Sequence, residues 1–571
     1  MTRDNNRVGH GRPRERIANE DRLVALGAAV NRGPTRGSRR TSRRRRRVWI
    51  RRSVITVGLV ILLVICGVVA DYFYLGSLVN KQNVKHLQSA GATENILLIG
   101  STTRCGLKVQ NKAYGLCSQG VTGVNSDIDM IVHLDPSTKS VSLLSIPRDL
   151  FVPNARADGA NKIDAALYEG PSQLVAAIEE DFAIPINHYV ELNFDTFANV
   201  VNALGGVKMY FPTPIYDADS DLNIERSGCY LLNGTRALQL VRARHLQIQP
   251  NPTNHDPRSW PQEALSDLAR IRRTHEFLRV LAAKLASRGL SNPLTDQSIA
   301  TAVLPDLTVD SGFSESTMVS LAETFAHTSI ASAPQLTYPV IEVLTGSLQY
   351  QGGSYGDVVF PVQPTGVNTV NEIFGVTSGT DSFTAKALPA PSSVAISVEN
   401  GTGIASQAAL VARQLSNKGF DVKSTGNVTP DGPVSETVVW YGGSPPPAKG
   451  DWTSPNLAAA ESVLAQLQGP AVLGYDPAKV MPGATVTVQS GTDLSVKSRV
   501  TPVKTTTKKK KTSSTTTTTT TIYDPPGVST NNAFSAPSST DQALASYDPR
   551  ACNAAGTGPA TAPTTTTTKK K

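Results

Sequence analysis

Eight histidines are spread over 571 residues with no His-Glu-x-x-His or comparable metal-ligand spacing, which excludes the familiar zinc-hydrolase signature. His133 alternates onto a strand face, where a hydrogen-bonded structural role is expected. The Gly-x-Ser-x-Gly match in "GGSYG", Gly352–Gly356, lacks the helix that must follow a nucleophile elbow. The strand-like "DVVFPV" follows it instead, so a hairpin turn is expected. The middle of the chain also lacks an excess of positive charge. Residues 1–52 hold 17 Arg against 4 acidic residues, net +13, and residues 501–571 carry net +6, which leaves −10 between them in a chain whose total is +9. The basic balance belongs to the ends and does not imply a nucleic-acid-binding domain.

One stretch has no charge at all. "SVITVGLVILLVICGVVA", Ser53–Ala70, is 18 residues long and is followed by Asp71 and the aromatic trio Tyr72, Phe73 and Tyr74. That length with an interfacial aromatic belt predicts a transmembrane helix. No small-residue cleavage site follows, which argues against a signal peptide. Arg43–Arg47, Arg51 and Arg52 precede the span and keep the N-terminus cytoplasmic by the positive-inside rule. A single-pass protein of the cell membrane with its folded part outside is expected. Cysteine is scarce: of five, Cys66 falls in the span, and Cys105 and Cys117 flank a short loop that an oxidising compartment would close. Such a loop would gain about 3 kcal/mol in the chain-entropy picture. Cys229 and Cys552 are left over, and a bridge between them stays open.

Composition and periodicity divide the chain. Residues 1–52 read as a basic disordered segment, 53–75 as the membrane helix and 76–92 as a linker. A first α/β domain covers 93–376. In it "NILLIG" is a buried strand, "DMIVHLD" and "SVSLLSIP" form a hairpin around "PSTKS", and helices follow at Pro171–Asp181, Phe194–Leu204 and Glu263–Leu285. A linker, 377–391, leads to a second, smaller α/β domain at 392–500, with "VAISV", a helix Ala405–Asn417 ending at Gly419, "FDV", "ETVVWYG" and "ATVTVQS". Residues 501–571, rich in Thr and Lys, cannot build a core and read as a disordered tail.

The segment "LLSIPRDLF", Leu143–Phe151, runs a core strand into Pro147 and then sets Arg148 beside Asp149. The carboxyl ends of strands in α/β sheets are where ligands usually sit. Two further arginines, Arg242 and Arg244 in "LVRARH", have the spacing that places both on one side of a strand. In "SDLARIRRTHEFLRVLAAKL" a helical period brings Asp267, Arg270 and Arg273 together beside an apolar face of Leu268, Ile271, Leu278 and Ala282. Guanidinium forks match phosphate oxygens in geometry and charge.

These segments, with "SDIDMIVHLD", "KIDAALYEG", "INHYVELNFDTFANVVNALGGV" and "LNGTRALQLVRAR", stand in the order of the LytR-CpsA-Psr family of cell-wall ligases, which the chain resembles over about residues 93–375. Residues 392–500 resemble the LytR C-terminal domain that accompanies this family in actinobacteria. The resemblance implies an α/β/α sandwich, anchored in the membrane, that moves a glycopolymer such as arabinogalactan from a polyprenyl pyrophosphate carrier onto peptidoglycan. It implies pyrophosphate contacts from Arg104, Arg148, Arg242, Arg244, Arg270 and Arg273. It also implies Asp267 as the base on the acceptor hydroxyl, and Mg2+. The apolar face beside Arg270 would line a groove for the polyprenyl chain.

Departures from the family pattern bear on the metal. Where Gly-x-Asp-x-Arg is common the chain has Gly100, Ser101, Thr102, Thr103 and Arg104, so a carboxylate is missing at Thr102. Asn125, Ser126 and Asp127 replace Arg-Ser-Asp, and Asp129 stands where an apolar residue is usual. Spacing of i, i+2 puts Asp127 and Asp129 on one strand face, and together they are expected to hold the metal. Thr274 and His275 occupy a common Gln-Gln. A pyrophosphatase is the alternative within enzymes. A non-catalytic scaffold that holds lipid-linked precursor is the alternative outside them, and a DNA-binding regulator is disfavoured because the membrane separates this domain from DNA.

Overall fold

The computed structural model describes residues 74, 76–89, 91–105, 116–120, 122–264, 266–288, 301, 304–325, 328, 333–342, 346–428, 435–444, 454–497 and 544–553. The predicted membrane span lies outside them, and no helix among the described residues is long and apolar enough to cross a membrane.

Among these residues a mixed sheet runs in the order Asn80–Gln82, Leu307–Asp310, His188–Leu192, Glu94–Ser101, Ser126–Asp135, Ser140–Ile146 and Gln335–Thr337. The expected hairpin forms, with Asp135 opposite Ser140 and Asp129 opposite Ile146. Pro147 then ends the second strand, as a residue without an N–H must. Both faces are buried, in agreement with the unbroken apolar runs. Leu97, Ile99, Ile131, Leu144 and Ile146 meet the helices Pro171–Phe182 and Thr365–Phe374 on one side. Met130, Val141 and Leu143 face the other side, where Leu278 of the long helix Ser266–Arg288 and Leu321 of Glu315–Phe325 pack. The segment "GGSYG" is a hairpin turn, pairing Tyr350 with Gly353. His133 has the structural role expected of it, with its Nδ1 2.8 Å from Asn95 Oδ1 and its ring edge-on to Phe374.

The second domain holds the expected strands Ala395–Asn400, Asp421–Asn427, Thr437–Tyr441 and Val486–Ser490, with Leu467–Tyr475 and two helices, Gln407–Asn417 and Pro455–Leu464. Its sheet does not stop at the boundary read from composition. Val359–Gln363, from the first domain, pairs with Leu467–Tyr475, Val362 opposite Pro470. Asn154 adds a two-way link to Tyr475, donating to its carbonyl at 2.8 Å and accepting from its N–H at 2.9 Å.

The C-terminal stretch also departs from the low-complexity reading. Residues 544–553 return to the first domain, where Arg550–Ala551 adds an edge strand to Val207–Phe211 and Cys552 is bonded to Cys229. Asp548, with no solvent exposure, lies against the long helix at Arg272. A carboxylate with two buried guanidiniums to meet supplies a reason for order that composition around it conceals.

Candidate active site

The strand Ser126–Asp135 follows its neighbour residue by residue as far as Ile128 opposite Gly100, and then slips. Ser101 faces Ser126, and Asp127 is the extra residue of a bulge. Bulges re-aim side chains. Here Asp127 reaches a cavity of about 340 Å³, whereas Asp129 stays on the face of Ile131, 1% exposed and outside the cavity wall. The i, i+2 argument therefore fails at this point of the strand. Neither Asp129 oxygen makes a hydrogen bond. Burial pushes its carboxyl up to about 8, against the lowering influence of Ser126, Arg270 and Arg148.

Five guanidiniums, those of Arg104, Arg148, Arg242, Arg244 and Arg270, line this cavity. Arg148 projects from the turn after Pro147 and is ion-paired with Asp127, with Asp164 at 3.4 Å and with Asp149 at 3.7 Å. Burial opposes its charge, yet the surrounding carboxylates raise its pKa overall. Asp149 is buried, but Arg244 at 2.5 Å, Arg148 and Lys162 hold its carboxyl below the usual range. Burial pushes Asp164 up to about 6 despite Arg148.

Arg242 and Arg244 converge as predicted, by a different route. Asn233 caps a helix by accepting from the Arg236 N–H, and Arg242 is that helix's last residue. Ala243 then turns extended and Arg244 follows it, so no strand carries the pair. Arg104 and Arg242 both lie over the Phe194 ring, 5.7 and 4.7 Å from its centroid, and the ring's negative face attracts both like charges. Burial and the Arg242 charge lower the pKa of Arg104. The Thr102 hydroxyl, at the position of the missing carboxylate, accepts from the Asn125 N–H at 2.9 Å.

Arg273 is not in the site. It has no exposure, pairs with Glu263 and donates to the Ala243 carbonyl at 2.5 Å, so it supports the chain between Arg242 and Arg244. One helical face brought it close to Arg270 in projection, but Glu263 captures it. Asp267 also stays out of the cavity wall. Its carboxylate lies 2.9 Å from Arg270 and 3.3 Å from Arg244, bracing two of the five guanidiniums. The wall includes instead Asp219, Ser220 and His245, which sequence reasoning missed. His245 directly follows the Arg-Ala-Arg segment, and that adjacency was the available signal.

An apolar groove adjoins the cavity and shares Asp127, Arg242 and Arg270 with it. Leu278 and Thr274 of the long helix line it with Leu98, Met130, Phe197 and Leu238. Leu268 and Ile271, predicted on the same apolar face, are not among its lining residues. Near the rim, Cys105 and Cys117 are joined as expected, their Cα atoms 5.1 Å apart.

Residues 76–358 match the LytR_cpsA_psr family, and residues 393–494 match the domain described as LytR cell envelope-related transcriptional attenuator. Among curated proteins, "Probable cell wall biosynthesis protein LcpB" of Corynebacterium glutamicum is 33% identical over 264 residues, which is 45% of this chain and 57% of that protein. The match thus spans little more than half of that relative. The polyisoprenyl-teichoic acid–peptidoglycan teichoic acid transferase TagT of Bacillus subtilis is 29% identical over 47% of this chain and 79% of its own length. A solved LytR-Csp2A-Psr enzyme from Actinomyces oris is 23% identical, with a TM-score of 0.38, over 46% of this chain and 88% of that one.

Proposed function

Residues 76–358 of the chain belong to the LytR_cpsA_psr family, and from that premise we propose a phosphotransferase that moves a wall glycopolymer from a polyprenyl pyrophosphate carrier onto peptidoglycan. The observation that carries this reading is the convergence of five guanidiniums on one cavity whose wall passes into an apolar groove. The relatives named as a cell wall biosynthesis protein and a teichoic acid transferase support it.

Phosphoryl transfer asks for in-line positioning and for positive charge around the non-bridging oxygens. Arg148, Arg242, Arg244 and Arg270 supply that charge from three chain segments, and Arg104 from a fourth. Pairing with Asp127, Asp149, Asp164 and Asp267 fixes the guanidiniums of Arg148, Arg244 and Arg270 before substrate arrives. The prenyl chain would lie in the groove against Leu278 and Phe197. An acceptor hydroxyl attacks the phosphorus that carries the glycopolymer, a phosphodiester forms, and polyprenyl phosphate leaves.

Asp127, the carboxylate beside Arg148 in the cavity wall, suits a hard divalent cation. A Mg2+ would be held by Asp127 on the cavity side, with Asp129 out of reach, and would neutralise phosphate charge. The chain's anchoring in the cell membrane, with this domain outside, belongs to the same proposal.

The test is the purified full-length protein in detergent with Mg2+, a polyprenyl pyrophosphate-linked oligosaccharide and uncross-linked peptidoglycan strands. A phosphodiester-linked product with release of polyprenyl phosphate is the expected result. Release with no product on the glycan would make the protein a pyrophosphatase, and binding without turnover would make it a scaffold.

A further inference from the structure

The cavity has a second wall, opposite in character to the arginines. The chain segment "IYDADSDLNI" forms two short strands, Ile215–Asp217 and Leu222–Ile224, paired with Leu222 opposite Asp217. The turn between them passes through Asp221 in the left-handed region, φ +59°. Asp217, with no exposure, organises this turn and more. Its Oδ1 accepts from the N–H groups of Asp219 at 3.0 Å and Ser220 at 2.9 Å, and its Oδ2 accepts from the N–H of His245 at 2.8 Å. One buried carboxylate thereby fastens the tip of the turn to the residue that follows Arg244.

The consequence is a preset pair. His245 Nδ1 lies 2.7 Å from Asp219 Oδ2. A carboxylate only accepts, so the proton of the neutral imidazole sits on Nδ1 and the Nε2 lone pair is left for another group. Nε2 has no partner among the described residues. Ser220 stands beside this pair in the cavity wall, 2% exposed, and its hydroxyl oxygen makes no hydrogen bond. A buried hydroxyl without a partner normally marks a site that expects one. Asp267, by contrast, spends its carboxylate on Arg244 and Arg270 and does not reach the wall.

We propose that His245, oriented by Asp219, is the general base that takes the proton of the acceptor hydroxyl, and that Ser220 contributes to the acceptor subsite. This rests on the phosphotransferase reading and names the acceptor side of the same cavity. The acceptor O–H bond breaks and its proton goes to Nε2. The new bond joins that oxygen to the phosphorus bearing the glycopolymer, and the electron pair of the broken P–O bond leaves on polyprenyl phosphate. The imidazolium faces Asp219, and its side chain is half exposed, so bulk water can collect the proton. The other charged groups around it are Asp217 at its backbone, Arg244 beside it in sequence, and Arg104, Arg148, Arg242 and Arg270 across the cavity. The class of acceptor this favours is a neutral sugar hydroxyl, which gains from a base and a hydrogen-bonding hydroxyl more than from another cation.

The experiment follows transfer from a synthetic farnesyl pyrophosphate-linked disaccharide to uncross-linked peptidoglycan strands, using the full chain, across pH. A well-placed base contributes on the order of 100-fold or more, so His245→Gln should lose about 100-fold in kcat with farnesyl-ligand binding unchanged. The acid limb of the wild-type kcat profile should vanish in that variant. Asp219→Ala, which leaves the imidazole without its orienting partner, should lose less, about 10-fold on the scale of an acid–base contribution. Asp267→Asn should weaken farnesyl-ligand binding and keep the acid limb. A His245→Gln protein with the wild-type rate and profile overturns the assignment while the phosphotransferase reading stands. Loss of the acid limb in Asp267→Asn instead would make that residue the base. A wild-type protein that transfers nothing overturns both.

Discussion

Asp548 accepts a 2.6 Å hydrogen bond from Nε of Arg272, across 276 residues of sequence. Arg272 also donates to Glu263 at 2.7 Å, and Tyr547 donates to the same Glu263 oxygen at 2.6 Å. The long helix that carries Asp267 and Arg270 is thus held at its Arg272–Arg273 turn by a peptide from the far end of the chain.

Removing one partner of a buried ion pair leaves the other uncompensated, at a cost of about 3 kcal/mol. Asp548→Ala should lower unfolding stability by about that amount, read in a denaturant titration. An unchanged midpoint would mean that the terminal peptide does not seat in solution.

The two arginines three positions apart should behave differently. Arg270→Ala and Arg148→Ala should weaken binding of a polyprenyl pyrophosphate by about 1.5 to 3 kcal/mol, as for lost charge-assisted hydrogen bonds. Arg273→Ala should instead lower the melting temperature, because it removes a buried donor from both Glu263 and the Ala243 carbonyl. Equal binding losses with no change in melting would return Arg273 to the site.

Mass spectrometry of non-reduced protein from the cell envelope should recover two linked peptide pairs, Cys105 with Cys117 and Cys229 with Cys552. Free thiols at these four positions would contradict an extracytoplasmic location for the domain.

Glu180, on the helix that faces the second domain, has its carboxyl pushed up to about 8 by burial. A raised acid is protonated in the fold and ionised in the unfolded chain, so stability falls as pH rises from about 4.5 to about 8. Glu180→Gln should remove that slope. Its advantage over wild type should be absent near pH 4 and largest near pH 8, read as the difference in denaturant midpoints. A constant difference across this range would show that Glu180 is ionised in the fold.

The sequence by itself determined the parts that short windows of residues control. Period-2 runs stopped by Pro147 set the hairpin, asparagine caps and helical periods set the helices, and ordered motifs identified the arginines that follow strand and helix ends. Tertiary structure decided which of those charges are available. Arg270 and Arg273 look alike on one helix, yet only Arg273 meets Glu263. Asp127 and Asp129 alternate in the sequence, yet a one-residue slip against Ser101 sends them apart. Asp548 lies in a tail whose composition forbids a core of its own, and it meets arginines that another part of the chain buries. Asp219 and His245 meet because Asp217 bonds to both of their segments. Periodicity and turn chemistry are local, whereas the neutralisation of a buried charge depends on whichever carboxylate the fold brings within about 4 Å, and no window of sequence contains that distance.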